Sequence, residues 1–454
     1  MYLLRIFFLC TLLVLSVSWM LSGCTETSST PKNIIFFISD GCGYNQVNAT
    51  SLYQFGETGR QIYEQFPVRL AMSTYSTNTG GYDPDSAWTS FKYVLRKPTD
   101  SAASATAMAT GYKTYNKAIG VDTSGRPLGN AVEHFESKGK STGVITSVPW
   151  THATPASFVA HGEDRGGLGN IASQMVLQSG VDVIMGANHP FYDDDGKKRE
   201  EPDYDEIGGK AIWDTLLSGN AGGDADGDGI ADAWHFIQDR NEFQQMISGP
   251  VPKRVIGIAK IHSTLQVARD IKTAHKLPYA NPFVETVPTL TEMALAAINI
   301  LDENDNGFFL MIEGGAIDWA AHYNHLGRMV EEEIAFNKTV EAVCAWIESN
   351  SSWEETLVIV TGDHETGYLT GPGANPQKEN DSLSREDIWP LLENNGKGKL
   401  PGAEWHTHGH TNSLIPFYSK GKNSDIFLNY ADKSDPVRGK YLDNTAIGKV
   451  LLSF

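Results

Sequence analysis

Cysteine is scarce in this chain, with four residues among 454. Two of them, Cys10 and Cys24, fall in an apolar N-terminal stretch, which leaves Cys42 and Cys344 for the body of the chain. At most one disulfide can form between these two, so the disulfide framework of a small secreted scaffold is excluded. We expect both thiols to be reduced and the fold to depend on an apolar core and on bound metal ions.

Positively charged residues are also few. Lysine and arginine number 36 against 55 aspartates and glutamates, and the formal net charge is −19. A nucleic-acid-binding domain normally carries a basic patch, and none is visible here, so no nucleic-acid partner is expected. The same acidity repels phosphate-bearing ligands unless a local site reverses it.

Internal repeats are absent as well, and the one segment that differs from the rest is the N-terminus. Residues 1–23 have an early Arg5, an apolar run and small residues before Cys24, which is the pattern of a secretory signal. The run is short for a membrane span, although a plain signal peptide and a membrane helix remain alternatives. The ending "LSGC" resembles the lipobox of bacterial lipoproteins. That resemblance implies a lipidated Cys24, a tether over 24–32, and an exported protein anchored at the periplasmic or cell-surface face of a membrane.

Short apolar, β-branched runs recur along the chain and predict buried strands. They cover residues 33–39, 143–148, 181–185, 254–258, 308–312, 357–360 and 415–418. Amphipathic segments between them predict helices, one of which starts at Thr289 and Glu292, a capping-box pair. This alternation predicts an α/β fold with a large central, mostly parallel β-sheet, helices on both faces and surface insertions, all within residues 33–454.

Acidic side chains and histidines cluster where these strands end. The residues concerned are Asp40, Glu313, Asp318, His322, Asp363, His364 and, before the last strand, His406, His408 and His410. Ligands of parallel α/β sheets gather at the carboxyl ends of the strands, and a helix puts Asp318 and His322 on one face. Aspartate, glutamate and histidine without cysteine suit zinc, with magnesium at an all-oxygen position.

The stretch "KPTDSAASATAMATG" over residues 97–111 contains almost no bulky side chains. It predicts a tightly packed helix that begins near Asp100 and Ser101. One interpretation is packing alone. The other is that Ser101 is a nucleophile at the start of a helix, where unpaired N–H groups favour an incoming anion.

From Asn33 to the C-terminus the chain resembles the alkaline phosphatase family. Five motifs carry the resemblance, in the order "TDSAASATAMATG", "THATPASFVAH" with Arg165 after it, "EGGAIDWAAH", "VTGDHETG" and "HTHGHT". The resemblance implies a phosphate monoester hydrolase that acts through a phosphoserine on Ser101. It also implies that Arg165 binds the phosphate, and it leaves monomer and homodimer open.

The resemblance further assigns the metal ligands. Asp318, His322 and His410 are expected to hold one zinc ion, and Asp40, Asp363 and His364 a second. Asp40, Thr154 and Glu313 are expected to hold a magnesium ion. Metal coordination can activate a serine, and two metal ions can stabilise the attacking and leaving oxygens of a displacement.

Three positions near these ligands raise further hypotheses. His152 stands where some family members have aspartate and others histidine, and Trp319 stands where some have lysine or histidine. Magnesium affinity and product release could therefore differ, and the third metal could be zinc. The alternative is that both residues only pack around the site. His408 is expected to orient a ligand or the phosphate, whereas His406 is expected to be a loop histidine.

A second metal site is suggested by "GGDADGDGIADAWHF". Asp224, Asp226, Asp228 and Asp232 occupy the first, third, fifth and ninth positions of an EF-hand-like loop. The twelfth position lacks the usual glutamate, so we expect calcium to bind with modest affinity and to stabilise an insertion over about 190–240. The alternative is an acidic surface turn. Residues 370–405 predict a polar surface excursion near the mouth of the site.

Other functions fit the same residues less well. A sulfatase needs a cysteine or serine in a C/S-x-P-x-R context, and neither Cys42 nor Ser101 has one. A phosphodiesterase side activity stays open. A non-catalytic surface protein would have lost a ligand or the serine, and none is lost.

The calcium hypothesis gives the first testable prediction. Calcium should raise the thermal unfolding midpoint of the wild type, because an ion that binds only the folded state stabilises it. The double variant Asp226→Ala, Asp228→Ala should not respond. Thermal unfolding with and without calcium measures both, and equal behaviour of the two proteins would remove the hypothesis.

Overall fold

The computed structural model describes residues 30–225, 229–270, 276–374 and 388–454. The signal segment and Cys24 lie outside these ranges, as does the tether up to residue 29. Within the described ranges, none of the helices combines the length and apolarity needed to cross a membrane.

Each predicted apolar run forms a strand, and the described residues contain six further strands that were not predicted. The strands are β1 Asn33–Ser39, β2 Val68–Ser73, β3 Ser141–Pro149, β4 Val183–Ala187, β5 His235–Ile237, β6 Val255–Ile258, β7 Phe308–Gly314, β8 Thr356–Gly362, β9 Glu365–Thr366, β10 His410–Thr411, β11 Ile415–Gly421, β12 Lys433–Asp435 and β13 Gly439–Asp443.

The α-helices lie mostly between these strands. They are α1 Tyr44–Phe55, α2 Pro84–Ala87, α3 Phe91–Val94, α4 Ser101–Thr110, α5 Ala131–Ser137, α6 Ala153–Val159, α7 Leu168–Ser173, α8 Lys210–Leu217, α9 Arg240–Gln245, α10 Leu290–Leu301, α11 Ala316–His322, α12 Leu326–Asn350 and α13 Thr445–Leu451. Short 3₁₀ turns span Ile62–Gln65, Asp205–Ile207 and Ser424–Tyr430, and a π turn spans Gln174–Gln178. The capping box before α10 forms as predicted, with Thr289 and Glu292 each accepting the other's backbone N–H.

Eleven strands form one sheet in the order β12-β13-β2-β11-β8-β1-β7-β3-β4-β6-β5. From β8 to β5 every neighbouring pair is parallel, whereas β11 runs antiparallel to both β8 and β2. The predicted mostly parallel α/β sheet is therefore confirmed. The span 190–240 is more than a surface insertion, because its strand β5 pairs with β6 at the sheet edge.

Both faces of the sheet are covered, which explains why its strands read as continuous apolar runs. Along β1, Ile34 and Phe36 pack into one apolar cluster and Ile35 and Phe37 into another. Helix α4 belongs to the first cluster, and α10 and α12 to the second. Cys42 and Cys344 are free and buried, as expected.

Helix α4, which begins at Ser101, is buried along its whole length. Its small side chains let α13 approach closely at the far end. A Cβ added to Gly448 of α13 would lie 2.1 Å from the backbone nitrogen of Gly111, the residue that ends α4. The two backbones are therefore in direct contact, which only glycine permits at this point.

This contact predicts that Gly448→Ala destabilises the protein by about 3 kcal/mol, because the added methyl group must push α13 away from α4. Urea denaturation measures the change. Gly129→Ala is the control, since nothing lies within 4 Å of a Cβ there, and it should change stability by less than about 1 kcal/mol. Equal effects of the two substitutions on the free energy of unfolding would show that the close contact does not contribute to stability.

Candidate active site

The candidate site lies at the carboxyl ends of the adjacent strands β8, β1, β7 and β3. Asp40 follows β1 directly, Asp363 follows β8, and Glu313 is the penultimate residue of β7. Because Ile38 of β1 is in register with Glu313, and Ser39 with Gly362, the three carboxylates meet at one edge. All three are fully buried.

The first group of candidate metal ligands contains Asp40, Asp363 and His364. Nε2 of His364 lies 3.2 Å from Oδ2 of Asp363 and 3.5 Å from Oδ1 of Asp40. The backbone N–H of Gly41 donates to Oδ1 of Asp363 at 3.1 Å, which leaves the other carboxylate oxygen for the group.

The second group contains Asp318, His322 and His410. Helix α11 places Asp318 and His322 one turn apart, with Nε2 of His322 3.2 Å from Oδ2 of Asp318. Nδ1 of His322 contacts the backbone carbonyl of His408, and Nδ1 of His410 contacts the backbone carbonyl of Thr99. Both Nε2 atoms therefore point to the centre of the group, which is the arrangement that metal-binding histidines require.

Gly41 brings the two groups together. It has a positive φ of 71°, and a Cβ there would lie 2.6 Å from Oδ1 of Asp318. The turn after Asp40 thus passes against α11 with no space for a side chain. The rings of His364 and His410 stack with their centroids 3.6 Å apart, which joins the groups from the other side.

A third group contains Asp40, His152 and Glu313. Asp40 is therefore shared between two groups. Thr146 on β3 donates its hydroxyl hydrogen to Glu313, and Thr154 is fully buried at the start of α6. His152, predicted only as a neighbour of the ligands, is close enough to be a ligand itself.

The donor atoms of these groups fit bound cations. Within the described part of the chain, neither oxygen of Asp40 accepts a hydrogen bond from an N–H or O–H group, and the same is true of Oε1 of Glu313 and Oδ2 of Asp363. A buried carboxylate without a partner is costly, and a divalent ion removes that cost.

The pKa values of these carboxyl groups reflect the same crowding. Burial, followed by the charges of Asp363, Asp318 and Glu313, raises the pKa of Asp40 well above its ordinary value. Burial also raises the pKa of Glu313 to about 7 and, with the charge of Asp318, that of Asp363 to about 6. Without a cation, these carboxylates resist ionising together.

Asp318 and His322 behave differently because they form a pair. Burial alone would raise the pKa of Asp318, but its hydrogen bond to His322 and the surrounding imidazoles lower it overall. Burial alone would lower the pKa of His322, but the hydrogen bond and charge of Asp318 raise it to about 9.

Ser101 is the first residue of α4, and Asp100 caps the helix by accepting the N–H of Ala103 at 3.0 Å. The Oγ of Ser101 lies 3.2 Å from Nε2 of His364. One turn later, the hydroxyl of Ser104 donates to the carbonyl oxygen of Asp363 at 2.6 Å, which fixes the helix against the first group.

Arg165 lies beside the same helix start. Its guanidinium is 3.3 Å from Oδ2 of Asp100 and donates to Nε2 of His152 at 2.9 Å. Burial, together with the charge of Arg165, lowers the pKa of His152 to about 3, so this imidazole is neutral and can accept the bond.

These side chains surround a cavity of about 510 Å³. Its lining residues are Ser101, His152, Arg165, Asp318, Trp319, His322, Tyr323 and His410. Sequence reasoning missed Tyr323, because a lone tyrosine after a helix carries no signal. It also missed Asp100 and Thr146 as partners of site residues, although Asp100 had the pattern of an N-cap.

Other predicted residues lie at the edge of the site or outside it. His408 contacts His322 twice, through its own carbonyl and through its Nδ1, so it borders the second group. His406 contacts Thr370 and belongs to a different cluster. Trp319 lines the cavity with its ring centroid 6.1 Å from that of His152.

Only part of the calcium loop belongs to the described residues. Asp224 accepts the N–H of Gly229 and Asp232 that of Ala225, both at 2.9 Å. Asp226 and Asp228 lie outside the described residues, so calcium binding stays a prediction.

Comparison with known proteins places this geometry in a family. The family model for alkaline phosphatase matches residues 31–399. Alkaline phosphatase 4 of Bacillus subtilis is 33% identical over 358 residues, covering 76% of this chain and 64% of that protein. Alkaline phosphatase of Escherichia fergusonii is 28% identical over 426 residues, covering 89% and 84%. The solved alkaline phosphatase from the Antarctic bacterium TAB5 has a TM-score of 0.61 at 25% identity, covering 93% and 97%.

The crowded carboxylates predict how pH affects the metal-free protein. In the folded chain the pKa of Asp363 is about 6 and that of Glu313 about 7, above the values near 4 of an unfolded chain. The folded form therefore binds more protons between pH 4 and pH 7, and these groups lose their stabilising contribution as pH rises through that window.

Urea denaturation of the chelator-treated protein from pH 4.5 to 7.5 tests this. Glu313→Gln should flatten the fall in stability with rising pH, because the variant removes one of the titrating groups. Glu303→Gln, at an exposed carboxylate after α10, should keep the wild-type slope. A Glu313→Gln slope equal to that of the wild type would contradict the prediction.

Proposed function

The chain belongs to the alkaline phosphatase family and is an enzyme of that family, and from this premise we propose that it hydrolyses phosphate monoesters with Ser101 as the nucleophile. The observation that carries the proposal is the position of Ser101 at the start of α4. Ser101 lines the cavity together with Arg165 and the ligands of the second group. Its hydroxyl contacts His364, a ligand of the first group.

The aspartate and histidine ligands of the first two groups suit zinc ions. We propose that Asp318, His322 and His410 hold one zinc ion, and Asp40, Asp363 and His364 the other. When bound, these ions supply positive charge that favours the alkoxide of Ser101 and stabilises the oxygen of the leaving group.

In the first step the hydroxyl of Ser101 loses its proton to solvent, Oγ attacks phosphorus, and the bond between phosphorus and the ester oxygen breaks. The leaving alcohol acquires a proton from solvent. In the second step water attacks phosphorus, the Oγ–P bond breaks, and inorganic phosphate leaves with Ser101 restored. Because no side chain is assigned to protonate the leaving group, the mechanism tolerates many alcohols.

Arg165 is suited to hold the phosphate during both steps. Its guanidinium is anchored on one side by Asp100 and His152, and it lines the same cavity as Ser101. A planar guanidinium with several donors matches two oxygens of a phosphate group. Arg165 and the N–H groups at the start of α4 would therefore orient the phosphorus for attack by Oγ.

We propose that Asp40 and Glu313 of the third group hold a metal ion together with Thr154, with His152 beside them. A solved histidine-to-aspartate variant of the TAB5 enzyme, 26% identical to this chain with a TM-score of 0.60, has Mg bound in its M3 site. An all-oxygen set suits magnesium, whereas a nitrogen ligand suits zinc. His152 could ligate zinc only with its hydrogen bond from Arg165 broken, because a neutral imidazole has a single lone-pair nitrogen.

We also propose that the protein is exported and attached to a membrane through a lipidated Cys24. The support comes from the sequence of residues 1–24. A homodimer is the assembly that we would test first, because the family is often dimeric.

The decisive substitution is Ser101→Ala. It should lower the turnover of p-nitrophenyl phosphate at alkaline pH by about a thousandfold or more, while zinc and magnesium contents stay at wild-type levels. The serine lies beside the ligands without belonging to the three groups, so the metal sites should survive. Ser137→Ala, at the exposed end of α5, is the control and should behave as wild type.

Trapping the intermediate tests the same step independently. Acid quenching of the wild type in labelled phosphate should leave label on Ser101, and the variant should carry none. Full metal occupancy without turnover in the wild type would exclude the proposed activity and direct the search to diesters or sulfate esters.

A further inference from the structure

Two aromatic side chains of the cavity have no part in the chemistry proposed above. Six of the eight lining residues are proposed ligands of metal ions or phosphate, carry the nucleophile or contact Arg165. Trp319 and Tyr323 remain. Neither belongs to the three metal groups.

Tyr323 is an exposed aromatic residue on the wall of the cavity. It is 59% exposed, and within the described ranges its side chain makes no hydrogen bond or ring contact. An exposed aromatic ring on the wall of a cavity offers a face on which a planar ligand can stack.

Helix geometry places the two rings on the same side. The N–H of Tyr323 still bonds to the carbonyl of Trp319 at 3.2 Å, so the two residues are one helical turn apart. Residues four apart on a helix are surface neighbours. Trp319 is half-buried near His152, and Tyr323 lies further out, so the two rings extend from the phosphate end of the cavity to its mouth.

The direction of the leaving group follows from the catalytic residues. Ser101 and Arg165 hold the phosphate at the inner end, so the alcohol portion of the ester points outwards past Trp319 and Tyr323. The cavity of about 510 Å³ is larger than a phosphate group needs and is in the range that holds whole small molecules.

We propose that Trp319 and Tyr323 form a stacking surface that selects phosphate monoesters with a planar aromatic leaving group, of the nucleoside monophosphate or aryl phosphate class, over alkyl phosphates. This inference rests on the proposed function. Stacking is sequence-tolerant, because every base has an aromatic face. The surface therefore favours nucleotides over glycerol phosphate without distinguishing strongly among the four bases.

The test compares kcat/KM for adenosine 5′-monophosphate, phenyl phosphate and glycerol 3-phosphate. In Tyr323→Ala the ratio of the nucleotide value to the glycerol phosphate value should fall about fivefold or more. The loss should lie mainly in KM, because stacking holds substrate and transition state alike. Tyr323→Phe keeps the ring and should keep the wild-type ratio. Tyr112→Ala is the matched control, since Tyr112 is 62% exposed and does not line the cavity.

Phenyl phosphate distinguishes an aryl ring attached to the ester oxygen from the more distant base of a nucleotide. Its ring is attached directly to the ester oxygen and should respond more to Trp319→Ala than to Tyr323→Ala, whereas the base of a nucleotide reaches further out and should respond to both. An unchanged nucleotide ratio in Tyr323→Ala, or an equal loss in Tyr323→Phe, overturns the stacking surface. Failure of the wild type to hydrolyse all three esters would instead overturn the proposed function.

Discussion

The rest of the site depends on the mutual repulsion of three buried carboxylates at the carboxyl ends of neighbouring parallel strands. Asp40, Glu313 and Asp363 are brought together by strand register, which the apolar core enforces from both faces of the sheet. Such an arrangement is unfavourable in the protein alone and favourable around cations. Folding energy from the core thus holds an acidic cavity in shape, and bound metal ions would turn that cavity into an attractive site for phosphate.

Asp100 has a central part in this arrangement. It caps α4, so it determines where the helix begins and therefore where Ser101 lies. Its other oxygen contacts the guanidinium of Arg165 and accepts the N–H of Lys117. One carboxylate consequently sets the distance between the proposed nucleophile and the proposed phosphate ligand, which must remain constant for an in-line attack.

Sequence reasoning predicted the fold for a clear physical reason. Buried parallel strands have continuous apolar runs, and the residue after each run lies at one edge of the sheet, so the pattern placed Asp40 and Asp363 at the same edge. Their assignment to one group of ligands came from the family resemblance. The contact of His152 with Arg165 could not be predicted, because it depends on how α6 and the loop after it are packed. Tyr323 was missed for a similar reason, since exposure at a cavity mouth leaves no pattern in the sequence.

The contact between Gly448 and Gly111 has a consequence for how the enzyme is made. Helix α4, with the proposed nucleophile, lies early in the sequence, but its far end rests on α13, and His410 comes almost as late. A growing chain therefore contains Ser101 and most of the acidic residues long before it contains the parts that align them. Catalytic competence should begin abruptly, only once the segment through residue 451 has packed against the body of the protein.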